Sequence, residues 1–430
     1  MLTALLSLAA SARGGEDLLR YSLRAGDRVT FEGRTRAAGQ AERAERVTFW
    51  CIDRREETFS LLAVHEPGGA AADGVRLDLG ALGQWRLLPP FAERFETADT
   101  LRLLLPALPT SFVGKGEWTS EPDADGRRWR CVNRGADERL AGAERIDFVL
   151  EASGGAVTLD EQVARGTFWF SAAQHLPVRI EARVQRRGVT TLDAVFVVRE
   201  AAAVDGDWLR RRRDEFPRYE DALRLANRWR DEVVNSGRPA DALARLGRLW
   251  SGLQSEWQPL KDSPFPALVT ARAAELAADT PRLQARASAA SGWVGRVAAH
   301  WSLTSPAGES VLSESYLGRP LVEYYWSAET FESLRGLAAV RALRESDVGR
   351  GIGVVCVNLD ADLRRAQRAI ALCGDGLEHV LAGPPLSGTE PGDLPIARLL
   401  GPDRTVREAW FGRRADYAGL VRRALQGGAP

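Results

Sequence analysis

The sequence predicts a multidomain α+β protein: an N-terminal antiparallel β-rich domain built as a curved sheet or half-barrel, a helical connector, and a C-terminal α/β domain. Three observations predict it. From about Arg20 to Glu200 apolar residues recur with a period of two, as in Val29-x-Phe31 and Val178-x-Ile180-x-Ala182-x-Val184. At Asp205 the spacing lengthens to three and four, the period of a helix with one buried face. From His300 onwards short apolar runs alternate with helical stretches, the pattern of a sheet with helices on its faces. A chain of 430 residues is also too long for one ordinary core. The expected segments are a signal peptide at 1–12, the β-rich domain at 20–203, the helical connector at 205–298 and the α/β domain at 299–427.

Composition excludes several classes. Acidic and basic side chains balance at 58 each, so no global field favours nucleic acid or an anionic membrane. The basic residues are almost all arginine, with Lys115 and Lys261 the exceptions, a bias that fits a GC-rich genome. Met1 is the sole methionine, which excludes a methionine-rich adaptable binding surface. No run after the N-terminus is long and apolar enough to span a bilayer.

The N-terminus reads MLTALLSLAASARGG. Leu2 to Ala10 is apolar, and Ala10-Ser11-Ala12 has the small-residue pattern of a signal-peptidase site, which predicts export to the periplasm or cell envelope. No Lys or Arg precedes the run, so a plain N-terminal helix on a cytoplasmic protein is the alternative. No cysteine follows at a lipobox.

In the first region DRVTFEGRTRA, ERVTFWCIDRREETFSLLAVHE, RRWRCVN and RIDFVLEA read as strands, enriched in Thr, Val, Phe and Trp. Turn signals at Asp123 to Gly126, Gly154-Gly155 and Arg187-Gly188 separate strands. Cys51 and Cys131 lie in β-patterned segments and form a candidate disulfide in an exported protein; the alternative is two buried thiols. The closing stretch, a GTFWF strand, a turn near His175-Leu176-Pro177 and long hairpin strands, resembles half-barrels of the lipoprotein-carrier type. That resemblance implies a sheet able to hold an apolar ligand.

In the connector Ala222, Leu225 or Ala226, Trp229 and Val233 share one helical face, and Leu243, Leu246, Trp250, Leu253 and Trp257 share another. The tryptophans are expected as core knobs. The run Arg210 to Arg213 is followed at once by Asp214 and Glu215, so it reads as a solvated helix start, not a nucleic-acid site.

In the third region LVEYYW is a strand, and TFESLRGLAAVRALRES a helix facing a core with Phe331, Leu334, Leu337, Ala338 and Leu343. GIGVVCVNLD is an apolar run expected of a strand covered on both faces, with Cys356 in its core. LPIARLLGPDRTVREAWFG reads as a hairpin turning at Pro402-Asp403. This order, with Trp301, Leu303, Gly308, Val311, Leu312, Gly318 and Trp326 at matching places, resembles the thioredoxin-like fold. The nearest branch holds envelope thiol-disulfide reductases (TlpA-like) and AhpC/TSA redoxins, and the resemblance covers about Ala299 to Leu425. It implies that Leu394-Pro395 carries a cis-proline before an edge strand.

The same alignment puts Thr330 and Ser333 where that family has its two cysteines; a shift of one residue puts Glu329 and Glu332 there. Neither register supplies sulfur. A threonine hydroxyl stays protonated at a helix N-terminus, where a thiol would ionise, and it can form no mixed disulfide. His300 and His379 lie away from Thr330 in the chain, so no base is in evidence to activate a hydroxyl. Ser327 or Thr330 is expected to cap the helix instead. None of the four cysteines is spaced as Cys-x-x-Cys, and no His stands at zinc-motif spacing from a cysteine pair, so neither a metal nor a cofactor is implied.

The expected function is therefore non-catalytic binding or scaffolding in the cell envelope. The partner is an extended polypeptide or an envelope protein, held in a groove formed by Trp326, Phe331, Leu394 and Pro395. Two alternatives stay open. One is a divergent thiol-disulfide oxidoreductase using Cys356, Cys373 or the Cys51/Cys131 pair; the other is an apolar-ligand carrier built on the β-rich domain.

Overall fold

The computed structural model describes residues 19–68, 72–87, 95–110, 116–122, 127–140, 142–152, 162–186, 189–212, 215–235, 239–260, 263–374, 376–382, 394–414 and 416–427. The expected signal peptide and the turns at Asp123 to Gly126, Gly154-Gly155 and Arg187-Gly188 lie outside the described residues. The chain divides into two compact units, residues 1–223 with 254–271 and residues 224–253 with 272–430.

The first unit is built on β1 (Asp27–Ala37), β2 (Arg43–Arg55), β3 (Thr58–Pro67), β4 (Asp73–Gly80) and β5 (Trp85–Leu87). Helix α1 (Phe95–Leu104) follows, then β6 (Glu117–Thr119), β7 (Arg127–Ala136), β8 (Ala143–Ala152), β9 (Gln162–Ser171), β10 (Leu176–Arg186) and β11 (Val189–Ala203). These strands make one antiparallel sheet in the order β5-β4-β3-β2-β1-β11-β10-β9-β8-β7-β6, open because β5 and β6 stand at opposite edges. The first strand pairs with the last: Phe31 sits opposite Val198 and Ala37 opposite Leu192.

Period-two patterning places Phe31, Phe49, Phe59, Phe168, Phe170 and Phe196 in the core, none more than 3% exposed. Helix α1 packs against β10 with Leu101 and Leu104 fully buried. The turn after it is pinned by the Tyr21 hydroxyl donating to the Pro106 carbonyl at 3.0 Å. Neither α1 nor β4 to β6 is identified from the sequence: β5 and β6 are three residues each, whereas β4 does alternate, as Val75-x-Leu77-x-Leu79, and was open to the same reading.

Two glycines let this sheet close up. A Cβ on Gly33 would stand 2.4 Å from the Phe196 ring, and one on Gly166 would stand 1.9 Å from the Glu181 carbonyl oxygen. Gly33→Ala and Gly166→Ala are each expected to cost about 1–3 kcal/mol through overpacking, measured as a lower denaturant midpoint. A neutral Gly166→Ala would contradict the close strand approach.

Four helices follow: α2 (Gly206–Arg212), α3 (Glu215–Asn235), α4 (Pro239–Trp257) and α5 (Phe265–Trp293). The division between units passes through α3, α4 and α5. In the first unit Phe216, Tyr219 and Trp257 surround Phe265 at ring distances of 5.0 to 5.4 Å. In the second, Leu246 and Trp250 of α4 are buried as their spacing predicts. Of the two alternatives Leu225 and Ala226 the structure takes the second, and Trp229 departs from expectation. Leu225 is exposed, with Ala226 taking the core position, and Trp229 is half-buried beneath the Arg245 guanidinium, 5.4 Å from its ring.

The rest of the second unit runs β12 (Ser302–Thr304), β13 (Ser310–Leu312), β14 (Leu321–Trp326), α6 (Phe331–Glu345), α7 (Asp347–Arg350), β15 (Gly353–Asn358), α8 (Leu363–Cys373), β16 (Glu378–Leu381), β17 (Ile396–Leu400), β18 (Val406–Phe411) and α9 (Tyr417–Leu425). The sheet order is β13-β12-β16-β15-β14-β17-β18. Strands β14, β15 and β16 are parallel, while β17 and β18 form an antiparallel hairpin beside β14. Every residue of β14 and β15 is buried, so both strands are covered on two faces. This is the sheet order that a thioredoxin-like fold requires. The buried face of α6 carries Ser333, Leu337, Val340 and Leu343; Ala338, expected inward, is exposed, because the stripe runs through Val340. No described helix is long and apolar enough to cross a membrane.

Candidate functional site

The junction between β14 and α6 is the candidate site, because parallel strands in such sheets present their C-terminal ends to ligands. Its loop is tied down from the neighbouring β15–α8 connection. The Asp360 carboxylate accepts the Ser327 hydroxyl, the Ala328 amide at 2.8 Å and the Asn358 side-chain amide at 2.8 Å. Arg365 donates to the Ala328 carbonyl at 3.1 Å and to Glu329 at 3.0 Å. The Glu332 carboxylate accepts from Arg413 Nε at 3.1 Å.

Thr330 occupies the N-cap position of α6 and is half-buried, but its side chain makes no capping bond. Ser327 instead accepts the Glu329 amide at 3.0 Å, so the turn is organised one step earlier than the helix. Ser333 is fully buried, and its hydroxyl has no hydrogen-bond partner. Neither hydroxyl has a base among its hydrogen bonds.

Of the four residues expected to form the groove, three have described side chains. Trp326, the last residue of β14, and Leu394 and Pro395, which lead into β17, are buried. The Phe331 side chain and residues 383–393 lie outside the described residues. The Leu394-Pro395 peptide bond is cis, as the resemblance implied.

Three of the four cysteines have described side chains, and all three are buried. Cys51, Cys131 and Cys356 are free and at most 1% exposed. Burial pushes the Cys51 thiol up to about 12, and it raises Cys131 and Cys356 further. The candidate bridge between Cys51 and Cys131 is absent: they lie on β2 and β7, with five strands between them in the sheet order. The Cys373 side chain lies outside the described residues.

Sequence reasoning missed a heavily bonded buried group in this unit. Glu323, in the middle of β14, is fully buried. Its carboxylate accepts Trp301 Nε1 at 2.9 Å, the Tyr325 hydroxyl at 2.6 Å and Arg398 Nη2 at 2.6 Å, and pairs with Arg404 at 3.5 Å. Burial works against the Arg398 charge, but Tyr325 and Glu323 outweigh it and leave the guanidinium pKa raised. Arg404 has a left-handed backbone (φ 64°), unusual for a side chain other than Gly, Asn or Asp. It ties that turn down by donating to the Ala299 carbonyl at 2.8 Å and the Ser313 carbonyl at 3.3 Å. The available signal was a lone carboxylate inside LVEYYW, which in a strand covered on both faces must be paired.

The first unit offers two weaker candidates. On its core side Glu45 accepts Thr35 at 2.6 Å and His65 at 2.7 Å. Burial raises the Glu45 carboxyl, but these bonds outweigh it and hold the group below the ordinary range. A trough of about 890 Å³ is lined by Glu32, Arg34, Arg46, Val195 and Arg199 among others. Its charges are internally matched, Glu32 pairing with both Arg46 and Arg199 at 3.0 Å. The core of this sheet is filled by the protein's own aromatic side chains. Among the described residues nothing forms a cluster able to hold a metal ion.

No protein-family model matches the sequence, and no curated protein sequence matches it. Among solved structures the chain is similar to a thiol:disulfide interchange protein of the thioredoxin family from Chlorobium tepidum TLS, at 16% identity over 30% of this chain and 97% of that one, TM-score 0.28. It is similar to a thiol-disulfide oxidoreductase from Bacteroides fragilis, at 20% identity over 30% and 98%, TM-score 0.25. It is similar as well to the thioredoxin domain of a thiol-disulfide oxidoreductase from Bacteroides vulgatus, at 16% identity over 30% and 96%, TM-score 0.26. The seven-stranded sheet of the second unit has the strand order of a thioredoxin-like fold.

Proposed function

We propose that this is an exported protein of the cell envelope whose thioredoxin-like domain has lost its redox cysteines and serves as a non-catalytic binding or scaffolding module. The observation that carries this reading is the β14–α6 loop. It has Thr330 and Ser333 in place of sulfurs, and Asp360 and Arg365 hold it in one arrangement. A two-electron thiol cycle needs a thiolate with a second sulfur in reach, and a hydroxyl pair offers neither. The apolar run before Ala10-Ser11-Ala12 supports export. The partner this reading calls for is an extended polypeptide or another envelope protein.

The oxidoreductase alternative needs an accessible thiol of depressed pKa. Cys51, Cys131 and Cys356 are buried with raised values, which weighs against it. The apolar-carrier alternative needs an open lined cavity, and the packed phenylalanines of the first unit weigh against that.

Differential alkylation with mass spectrometry tests the proposal on protein matured in its own host, before and after challenge with peroxide and a disulfide substrate. Cys51, Cys131 and Cys356 are expected to resist alkylation until the chain is denatured, with no cysteine changing state under challenge. A cysteine that cycles would sink the proposal and make the oxidoreductase reading primary.

A further inference from the structure

We propose that His379 is an acid-sensitive latch, holding β16 and the end of α8 against the tip of β14 and releasing them when it takes up a proton. The imidazole is 4% exposed. Its Nε2 lies 3.1 Å from the Gly374 carbonyl at the end of α8, so the tautomer protonated at Nε2 satisfies that contact. The fit is close: a Cβ on Gly374 would stand 2.4 Å from Nε2. The Trp326 ring meets the imidazole edge-on at 5.5 Å. Two polar atoms in this corner are buried without a partner, His379 Nδ1 and Trp326 Nε1.

A second proton must go to Nδ1, and nothing is placed to accept a bond from it there. From α6 the charged neighbour is Arg341, which repels a cation on His379. From β15 the titratable neighbour is Cys356, directly in register, whose thiol burial keeps neutral. The end of α8 contributes the Gly374 carbonyl and β14 the Trp326 indole. Glu378, adjacent on β16, points to the other face and binds the Tyr316 hydroxyl. With no carboxylate facing it, a protonated ring is at home only outside the core.

Burial first, and Arg341 second, hold the His379 pKa down to about 4, against 6.5 for a free imidazole; the Gly374 bond opposes them. The folded value is depressed, so the stabilising effect is complete above pH 6.5 and is lost as pH falls towards 4. The opened form takes up the proton across that window. The opening equilibrium therefore rises by up to about two orders of magnitude. The latch is independent of whether the β14–α6 junction binds a polypeptide.

Histidine-selective NMR of the full chain, run beside hydrogen exchange corrected for intrinsic rates, tests this from neutral pH to about 4. Protection of residues 363–381 is expected to fall by about two orders of magnitude as the His379 signal titrates. In His379→Gln that loss is expected to disappear from the window. A His379 signal titrating near 6.5 with protection intact would overturn the latch, as would an unchanged loss of protection in His379→Gln. Should the variant not fold, the wild-type spectrum and its exchange profile decide between these outcomes alone.

Discussion

Glu323→Ala is expected to destabilise the thioredoxin-like domain by about 3–5 kcal/mol, the range for removing one partner from a buried ion pair. The loss is large because two arginines depend on this carboxylate. Arg398 has 13% and Arg404 4% of its side chain exposed, so neither can recover its hydration in place. Trp301 and Tyr325 would also lose the acceptor for their buried donors. Glu323→Gln separates the two contributions: it keeps an acceptor oxygen but removes the charge, and it is expected to retain only part of the loss. Glu329→Ala is the contrast. Its carboxylate is 65% exposed, and breaking its pair with Arg365 is expected to change stability by about 0–1 kcal/mol. Thermal unfolding reads all three, and a Glu323→Ala loss no larger than that of Glu329→Ala would show that the buried network contributes nothing net.

The double variant Thr330→Cys, Ser333→Cys is expected to show thiol-disulfide exchange at the β14–α6 junction. The Ser333 amide donates to the Thr330 carbonyl at 3.0 Å, a turn that keeps the two Cα atoms within about 7 Å, inside the reach of a disulfide. A thiol at position 330 would stand at the N-terminus of a 15-residue helix, whose dipole favours a thiolate. Glu329 and Glu332 oppose that effect, but each is paired with an arginine. Incubation with a disulfide substrate is expected to convert both new thiols to a bridge that alkylation no longer labels. Thr330→Cys alone is expected to stop at the mixed disulfide, for want of a resolving thiol. A folded double variant whose thiols never pair would show that the loop has lost the geometry as well as the sulfur.

The candidate site was legible in part. That Thr330-Phe331-Glu332-Ser333 has no sulfur follows from the residues themselves, as does the helix that begins there. The groove was not legible. Trp326, Leu394 and Pro395 look like surface lining when matched to a motif, but Trp326 ends β14 and Leu394-Pro395 leads into β17, and all three are buried. Capping shows the same limit: Thr330 and Ser327 are both competent residues, yet neither side chain caps α6, because Ser327 is engaged by Asp360 from the β15–α8 connection and by the Glu329 amide.

What the sequence by itself determined is whatever a local period can report. Alternation marked β1, β2, β3 and the β9–β10–β11 run; three-and-four spacing marked α4; an unbroken apolar run marked β15; and Pro402-Asp403 marked the last hairpin. Each is a statement about which side of a short segment meets the core, and burial of that side is enough to impose the pattern. What only the tertiary structure decided is who meets whom. The pairing of β1 with β11, the insertion of α1 against β10, and the union of Glu323 with Arg398, 75 residues away, leave no periodic trace in either segment. The physical reason is that a hydrophobic face is satisfied by any apolar cover, so its pattern names no partner. A buried charge demands one particular neighbour, and that neighbour is brought near only when the chain closes over a long distance.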